Sequence, residues 1–348
     1  MTIGILTTSY PSAADDPAGH FVRGFAEWLA EHAGDVEVLA LGGDPAQAMR
    51  DGGLPGRLRG PAGALRGGVL GARLLAATAR RAARWDAVVS NWLVPCGAVG
   101  LLAARRRHLA IAHGSDVALL RRLPGGTAFV RRLARAAELV YVADSLRVPG
   151  APGRVVAMPP RAVGGPRTDE ERRAARVELG VADDVRLALF VGRLVRDKGA
   201  DLLLDALPDG ALALVVGEGP ERARLAAHAA VRDGRARLCG VRHGAALRPY
   251  LAAADLVVVP SRRDGAPTLV KEAAAIGVPV LATRAVGDLQ APGIQPTVPA
   301  LRASLTAWAS GGRTLAAMSA PAGWETVGPQ LWGTQAFRNN GKISVCYY

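Results

Sequence analysis

The chain has few of the residues that characterise several classes of protein. Only three cysteines, Cys96, Cys239 and Cys346, occur in 348 residues, and they lie far apart without metal-ligand spacing. This pattern excludes a disulfide framework and indicates a reducing compartment. Aromatic residues make up 5% of the sequence, so we expect hydrophobic cores built from Ala, Val and Leu.

Long hydrophobic runs are also missing. The longest one, residues 87–104, is interrupted by Ser90, Asn91 and Pro95. We therefore expect a buried strand, a turn and the start of a helix there, rather than a membrane span. Residues 1–16 place no basic segment before their apolar stretch, which argues against a signal peptide. These observations predict a cytoplasmic protein, with peripheral contact at the inner face of the membrane as an open alternative.

Lysine is rare, since it supplies only three of the 43 basic residues, at Lys198, Lys271 and Lys342. GC-rich codon usage explains the excess of arginine at most surface positions. The net charge is +13, and residues 1–165 hold 20 arginines against 12 acidic residues. Such a field attracts phosphate groups, so contact with an anionic membrane is the alternative to simple solvated helix faces. No aromatic residues are interleaved with the arginines, and we expect no nucleic-acid partner.

The length of the chain predicts two domains, because 348 residues exceed the size that one core normally serves. Short apolar runs in the first half predict buried strands at 3–8, 36–41, 87–90, 109–112, 138–142 and 155–158. Helical patterns at 21–31 and 64–84 alternate with them. Strands alternating with helices indicate βαβ units and a parallel sheet.

A Pro- and Gly-rich segment at 159–166 marks a linker between the domains. Thr168 and Glu171 form a capping box at the start of a helix that Gly180 ends. Further strands are predicted at 186–191, 211–216, 237–239 and 256–259, and a helix at 301–318. We predict an α/β fold with two Rossmann-like domains, 1–164 and 165–320. Residues 321–348 are predicted as an atypical tail whose strand-like end has no obvious partner.

Each strand of the second domain leads into a turn rich in glycine or charge. These turns are Gly192-Arg193, Gly217-Glu218-Gly219-Pro220, Gly240-Val241 and the stretch 261–265. In a doubly wound sheet, ligands bind in the crevice beyond the carboxyl ends of the strands. The sequence therefore predicts a binding site at this edge of the second sheet.

Two cations, Arg193 and Lys198, share the first of these turns. Together they can neutralise a diphosphate, and negative charge builds on a departing diphosphate in glycosyl transfer. A lysine retained in a chain that otherwise uses arginine suits a compact phosphate site. The alternative is a solvent-exposed loop with incidental charges.

A second cluster begins at Asp264 and continues through the helix that contains Glu272. Pro267 suits the first turn of this helix, and the free amides at its start favour phosphate. Glu272 is expected about two turns into the helix, where its carboxylate can accept both hydroxyls of a ribose. The alternative is a capping aspartate and a solvated glutamate.

Four ordered stretches, 190–204, 215–220, 250–261 and 264–283, resemble the retaining glycosyltransferases of family four, which have the GT-B fold. The last stretch is similar to that family's motif of two acids separated by seven residues. The first half matches more loosely, at 8–11, 19–22, 92–97 and 113–116. The resemblance covers residues 1 to about 290.

The resemblance implies a role for each matched residue. Arg193 and Lys198 would bind the diphosphate of the donor and stabilise it as a leaving group. Glu272 would hold the ribose, Asp264 would lie beside hydroxyls of the transferred sugar, and His113 would line the sugar site from the opposite domain. The remaining donor-binding positions would be Gly19, Gly192, Gly217, Glu218, Gly265, Ala266, Pro267, Thr268 and Leu269.

The same resemblance implies a nucleotide-diphosphate sugar as donor, linked to UDP or GDP, with no metal and no cofactor. Retention would follow front-side attack by an acceptor hydroxyl. The acceptor is lipid-linked, phosphorylated, a polysaccharide or a natural product, and the residues leave this open. Two other functions also stay open: a catalytically inactive nucleotide-sugar-binding homologue and a nucleotide-sugar epimerase of the same fold.

The sequence departs from the family at several places. Asp264 stands where the family usually has Glu, and Asn91 where a histidine is common. After Gly287 the expected second ligand loop is not recognisable. The terminal helix that in the family returns to the first domain is suggested only by Trp324-Glu325.

Overall fold

A computed structural model describes residues 1–11, 19–40, 60–160, 164–264, 267–286, 293–311, 323–333 and 341–347. The described residues fall into two compact units. Residues up to 159, together with 323–347, form the N-terminal unit, and residues 160–311 form the C-terminal unit. Among the helices of the described residues, none is both long and apolar enough to cross a membrane.

The strands of the described residues are β1 (Thr2–Thr7), β2 (Asp35–Ala40), β3 (Ala87–Asn91), β4 (Arg107–Ala112), β5 (Glu138–Tyr141), β6 (Arg154–Val155), β7 (Arg186–Val191), β8 (Ala211–Val216), β9 (Ala236–Gly240), β10 (Leu256–Val259), β11 (Val280–Ala282) and β12 (Ile343–Tyr347). The α-helices are α1 (His20–His32), α2 (Gly60–Ala79), α3 (Ala98–Ala103), α4 (Ser115–Leu120), α5 (Gly126–Ala136), α6 (Asp169–Leu179), α7 (Ala200–Ala206), α8 (Arg222–Ala226), α9 (Ala229–Arg232), α10 (Arg248–Ala253), α11 (Thr268–Ile276), α12 (Val298–Ala309) and α13 (Trp324–Trp332). Short 3-10 turns lie at Ala82–Arg84, Asp144–Leu146, Arg196–Lys198 and Gly244–Leu247.

The N-terminal unit contains a seven-stranded parallel sheet in the order β12-β2-β1-β3-β4-β5-β6. Its central strands are buried on both faces, as the near-continuous apolar sequences of β1, β3 and β4 require. The predicted alternation is therefore confirmed, and the interrupted apolar run at 87–104 folds as β3, an irregular turn at Leu93–Gly97 and α3.

The described part of the predicted tail belongs to the N-terminal unit. β12 pairs in parallel with β2, from Ile343 opposite Val36 to Tyr347 opposite Ala40. In α13, the Trp324 ring stacks on the ring of Phe25 in α1 at 5.6 Å between centroids. The sequence did not reveal this partner, because β2 lies about 300 residues earlier and edge pairing leaves no local periodicity.

The C-terminal unit contains a five-stranded parallel sheet in the order β11-β10-β7-β8-β9. The N-cap predicted at Thr168 is confirmed, since its Oγ1 accepts the Glu171 amide at 3.1 Å, and Gly180 ends α6 with a φ of 60°. The other half of the predicted capping box is not formed, because the Glu171 carboxylate binds the Arg248 guanidinium at 2.6 and 2.8 Å. The helix predicted at 301–318 runs over Val298–Ala309, and residues 312–318 lie outside the described part of the chain.

Candidate functional site

The order of strands in the C-terminal sheet creates a topological switch point at β7. The chain leaves β7 to form β8 on one side and later returns to place β10 on the other side. Because all five strands are parallel, the loops after β7, β8 and β10 meet at one edge. This is the position where open α/β sheets bind ligands.

Lys198 and Asp264 form an ion pair at this edge. Lys198 Nζ lies 2.5 Å from Asp264 Oδ2, although 66 residues separate them in the chain. Their side chains are 23% and 11% exposed. Ser261 Oγ donates to the same carboxylate oxygen at 3.3 Å. Lys198 and Asp264 are thus partly buried and paired with each other, which argues against a loop whose charges are simply solvated.

Backbone and side-chain bonds tie the loops after β7 and β10 together. The Arg262 amide donates to the Asp197 carbonyl at 2.8 Å, and its guanidinium binds both carboxylate oxygens of Asp201 at 2.8 and 2.9 Å. The Asp264 amide donates to the Ala285 carbonyl at 3.0 Å. The sequence does not predict the ion pair of Arg262 with Asp201, since only the tertiary structure shows which acid lies beside this arginine. The result is a preorganised pair of loops.

Arg193 lies in the same electrostatic environment as the ion pair. Burial lowers the pKa of the Arg193 guanidinium, and the nearby carboxylates of Asp264 and Asp197 oppose this change. An arginine with such neighbours stays charged in a protein. The structure thus brings Arg193, Lys198 and Asp264 together, as the sequence predicts, and places two cations at one edge of the sheet.

The glycines predicted to bind donor have a clear packing role. Gly217 adopts a φ of 142°, and a Cβ on it would come within 1.9 Å of the Gly192 carbonyl oxygen. The amide of Leu194 donates to the Glu218 carbonyl at 2.7 Å. These contacts place the loops after β7 and β8 against each other, with backbone groups at the sheet edge. The carboxylate of Glu218 pairs with Arg222 at 3.0 Å.

The helix α11 begins at Thr268, four residues after Asp264 in the chain, with Pro267 as the residue before it. Glu272 therefore lies at the start of the second turn, not two turns in, and it is only 5% exposed. The alternative of a capping aspartate and a solvated glutamate is wrong, because Glu272 is buried and Asp264 binds Lys198. The side chain of Leu269 packs into the core of this unit, which leaves its backbone amide for the predicted contact with phosphate. Gly265 and Ala266 lie outside the described residues.

His113 and Gly19 belong to the N-terminal unit, at the carboxyl edge of its own sheet. Nε2 of His113 lies 2.9 Å from Oδ1 of Asn91, and the His113 ring packs against Phe21 and Trp92, each at 4.7 Å between centroids. Gly19 precedes α1 with a φ of 65°, and a Cβ on it would lie 2.1 Å from the Ser9 carbonyl oxygen. Sequence reasoning missed Phe21 and Trp92 as ring partners of His113.

Among the described residues, the structure brings together one group of potential metal ligands that the sequence does not reveal. Ligand atoms of Glu31, His32 and Glu325 lie within 4.8 Å of one another, where α1 meets α13. Both glutamates are exposed, as acidic groups at protein surfaces commonly are. We assign no function to this group.

Comparison with known proteins identifies relatives of the chain. The family model described as glycosyl transferases group 1 matches residues 185–303. The chain is 30% identical over 293 residues to a D-inositol 3-phosphate glycosyltransferase of Xylanimonas cellulosilytica, covering 73% of this chain and 67% of that protein. It is 31% identical over 211 residues to a Bacillus subtilis glycosyltransferase assigned to teichuronic acid biosynthesis, covering 57% and 53%. The chain thus spans about half, or less, of the length of the first curated relatives it matches.

Solved structures share the architecture of the chain. Sucrose-phosphate synthase from Thermosynechococcus elongatus matches with a TM-score of 0.72 at 21% identity, over 94% of this chain and 96% of that one. The Anabaena protein HepE in complex with UDP and glucose matches with a TM-score of 0.69 at 18% identity, over 95% of each chain. These likenesses confirm the predicted GT-B fold with its two Rossmann-like domains. The match to the Xylanimonas protein covers two thirds of that protein's length at 30% identity. The chain therefore belongs to the group 1 glycosyltransferases, with the GT-B fold.

Proposed function

We propose that the chain is a retaining glycosyltransferase that moves a sugar from a nucleotide-diphosphate sugar to an acceptor hydroxyl, without a metal ion. The observation that carries this proposal is the cluster of Arg193, Lys198 and Asp264 at the switch point of the C-terminal sheet. Two cations there match the charge of a diphosphate, and the neighbouring helix α11 offers backbone amides at its N-terminus. The complex of HepE with UDP and glucose supports a UDP-linked donor.

In the proposed reaction, the bond between the anomeric carbon and the diphosphate oxygen breaks as the acceptor oxygen attacks from the same face. The acceptor proton passes to the departing phosphate oxygen. Arg193 and Lys198 stabilise the negative charge that develops on this leaving group. Asp264 holds the ammonium of Lys198 in place before the donor binds and lies beside the sugar hydroxyls afterwards. Glu272 accepts the ribose hydroxyls.

We also propose a hydroxyl acceptor that carries a phosphate or a lipid. The name of the Xylanimonas relative specifies D-inositol 3-phosphate, a phosphorylated polyol. A net charge of +8 over residues 1–165 supports such an acceptor, because arginine binds phosphate well. The three cysteines, which form no disulfide, support a location in the cytoplasm.

Nucleotide binding is the direct test of this function. Melting curves with UDP, GDP, ADP, TDP and their hexose conjugates should show one nucleotide that stabilises the protein. Saturation at about 100 times Kd adds about 2.7 kcal/mol to the free energy of unfolding. This raises the Tm of a unit of this size by about 5–10 °C.

The variant Glu272→Gln should lose most of this stabilisation, because an amide offers only one oxygen to the ribose hydroxyls. Glu178→Gln, on the exposed face of α6, is the matched control and should respond like the wild type. If the nucleotide raises the Tm of Glu272→Gln as much as that of the wild type, Glu272 does not contribute to nucleotide binding. Donor binding without turnover or donor hydrolysis would favour the inactive homologue, and a rearranged sugar nucleotide as product would favour an epimerase.

The N-terminal unit carries a surface that we propose as the contact with an anionic membrane. On α2, Leu65 is 72% exposed and Val69, one turn further on, is 51% exposed. On the neighbouring helix α3, Leu102 is 76% exposed, and the exposed Arg105 and Arg106 follow it. Exposed apolar side chains flanked by arginines suit an interface of acyl chains and anionic headgroups.

Co-sedimentation with vesicles tests this contact. The protein should bind vesicles of phosphatidylcholine and phosphatidylglycerol, bind phosphatidylcholine alone weakly, and lose binding as salt rises. Leu65→Ser/Val69→Ser should weaken binding about tenfold or more, because two buried aliphatic side chains are lost from the interface. Val177→Ser, at a residue 82% exposed in the C-terminal unit, is the matched control. Equal binding by both variants would exclude α2 as the contact.

A further inference from the structure

Asp201 is a largely buried acid of the C-terminal unit, and the proposed transfer chemistry does not use it. It is the second residue of α7 and follows Lys198 closely in the chain. Its side chain is 13% exposed. Its two oxygens accept hydrogen bonds from both terminal nitrogens of the Arg262 guanidinium, at 2.8 and 2.9 Å. Oδ2 also lies 3.3 Å from Nη2 of Arg224, so one carboxylate binds two guanidinium groups.

These two arginines connect Asp201 to the other loops at this edge of the sheet. Arg262 lies in the loop after β10. Arg224 belongs to α8, and its Nε donates to Glu221, in the loop after β8, at 2.7 Å. The Glu221 amide in turn donates to the Leu194 carbonyl, in the loop after β7, at 3.0 Å. Asp201 therefore joins the loops after β7, β8 and β10.

Arg262 also holds the backbone of the turn that carries Lys198. Its Nη1 donates to the Arg196 carbonyl at 2.9 Å, and its amide donates to the Asp197 carbonyl at 2.8 Å. Both carbonyls lie in the 3-10 turn that ends at Lys198. Two parallel bonds to a carboxylate fix the plane of a guanidinium. The position of this turn relative to the loop after β10 therefore depends on Asp201.

The charge of Asp201 keeps two neighbouring cations together. Its Oδ2 binds both Arg262 and Arg224, so the two guanidinium groups lie side by side. Burial raises the pKa of the Asp201 carboxyl, but the hydrogen bond and charge of Arg262 and the charge of Arg224 outweigh burial and hold this pKa below its ordinary value. The group is therefore ionised at pH 7. An uncharged side chain in its place would leave the two arginines to repel each other.

We propose that Asp201 is a positioning residue that, through Arg262, holds the ammonium of Lys198 where the diphosphate of the donor binds. This inference rests on the proposed function. The ion pair with Asp264 gives the ammonium its partner, but the bonds of Arg262 fix the spacing between the loops that carry Lys198 and Asp264. The donor then meets a cation that is already in place, and no loop has to be reordered as charge develops on the leaving group.

NMR of the protein labelled with 15N-lysine tests this position without any ligand. The chain has only three lysines, and Lys198→Ala identifies the ammonium resonance of Lys198 by its loss. In the wild type this ammonium should exchange its protons with water slowly, because its side chain is 23% exposed and bonded to Asp264. In Asp201→Asn the exchange should be at least about tenfold faster, since a hydrogen-bonded, charged tie between the loops is lost. Equal exchange rates in the two proteins overturn the inference.

Asp205→Asn is the matched control for this variant. It is the same substitution one turn further along α7, where a more exposed carboxylate lies 3.0 Å from His228. The exchange of the Lys198 ammonium should stay as slow in Asp205→Asn as in the wild type. If Asp201→Asn does not fold, Arg262→Gln gives the same test, because it removes the other half of the tie. Asp201→Glu keeps the charge and should exchange more slowly than Asp201→Asn.

Turnover in two backgrounds separates positioning from a merely structural role. With the nucleotide sugar that stabilises the protein, Asp201→Asn should lower kcat about 10–100-fold and raise KM less, as a misplaced catalytic group does. In a Lys198→Ala background the same substitution should change kcat by less than about twofold, because Asp201 acts through Lys198. An equal fall in both backgrounds overturns the inference. Failure of every nucleotide to bind overturns the proposed function, whereas the exchange rates decide by themselves whether Asp201 positions Lys198.

Discussion

Replacing Lys198 with alanine should lower kcat about 10²–10³-fold, the typical effect of removing one preorganised donor from a developing negative charge. Lys198 Nζ lies 2.5 Å from Asp264 Oδ2, and Arg193 also interacts with this carboxylate, so the variant removes one of two cations proposed to face the leaving group. The charge on the diphosphate grows as its bond to the sugar breaks. We therefore expect kcat to fall more than KM rises. The measurement is steady-state turnover of the nucleotide sugar that stabilises the protein.

Lys342→Ala is the matched control for this variant. Lys342 is an exposed lysine of the N-terminal unit, so the same chemical change occurs away from the site. Its turnover should stay within about twofold of the wild type, since substitutions at exposed positions have small effects. Lys198→Arg should recover part of the loss, because it keeps the charge but not the compact ammonium. A kcat for Lys198→Ala within about tenfold of the wild type would show that this lysine does not stabilise the leaving group.

Asp255→Ala should destabilise the C-terminal unit by about 3–5 kcal/mol, as expected when a buried charge loses its partner. The Asp255 carboxylate accepts Arg176 at 2.6 Å, Arg172 at 2.7 Å and the Leu187 amide at 2.9 Å. The side chain of Arg176 is only 1% exposed, so the variant leaves its positive charge buried. We expect the Tm of this unit to fall by about 10 °C or more in calorimetry.

Asp209→Ala provides the comparison for this effect. The Asp209 side chain is fully exposed and lies 3.8 Å from Arg235 in the same unit. Its removal should change stability by at most about 0.5 kcal/mol, because exposed ion pairs contribute little. If Asp255→Ala melts within about 1 kcal/mol of the wild type, the buried network is not a major source of stability.

Much of the C-terminal site was predictable because parallel strands end at a shared edge. Polar turns after apolar runs placed Arg193, Lys198 and Asp264 at that edge, and the structure brings them together there. The predicted position of Glu272 in its helix was wrong by most of a turn, since the helix begins at Thr268. Helix boundaries depend on local hydrogen bonds that periodicity alone does not resolve.

Other contacts could not be predicted, because they depend on which strands become neighbours. The pairing of Lys198 with Asp264 follows from the placement of β10 beside β7, which the local sequence does not specify. The bond between Asn91 and His113 follows in the same way from β3 and β4. The pairing of β12 with β2 joins residues about 300 positions apart.

The sequence by itself determined the alternation of strands and helices, the two domains and the resemblance to glycosyltransferases. These properties depend on local hydrophobic periodicity, turn residues and motif spacing, all of which are present along one stretch of chain. The tertiary structure alone decided which acid pairs with Lys198, which side chain contacts the ring of His113 at Nε2 and where the C-terminal strand pairs. Long-range strand order and burial set these contacts, because the free energy of packing belongs to the assembled sheet and not to any single segment.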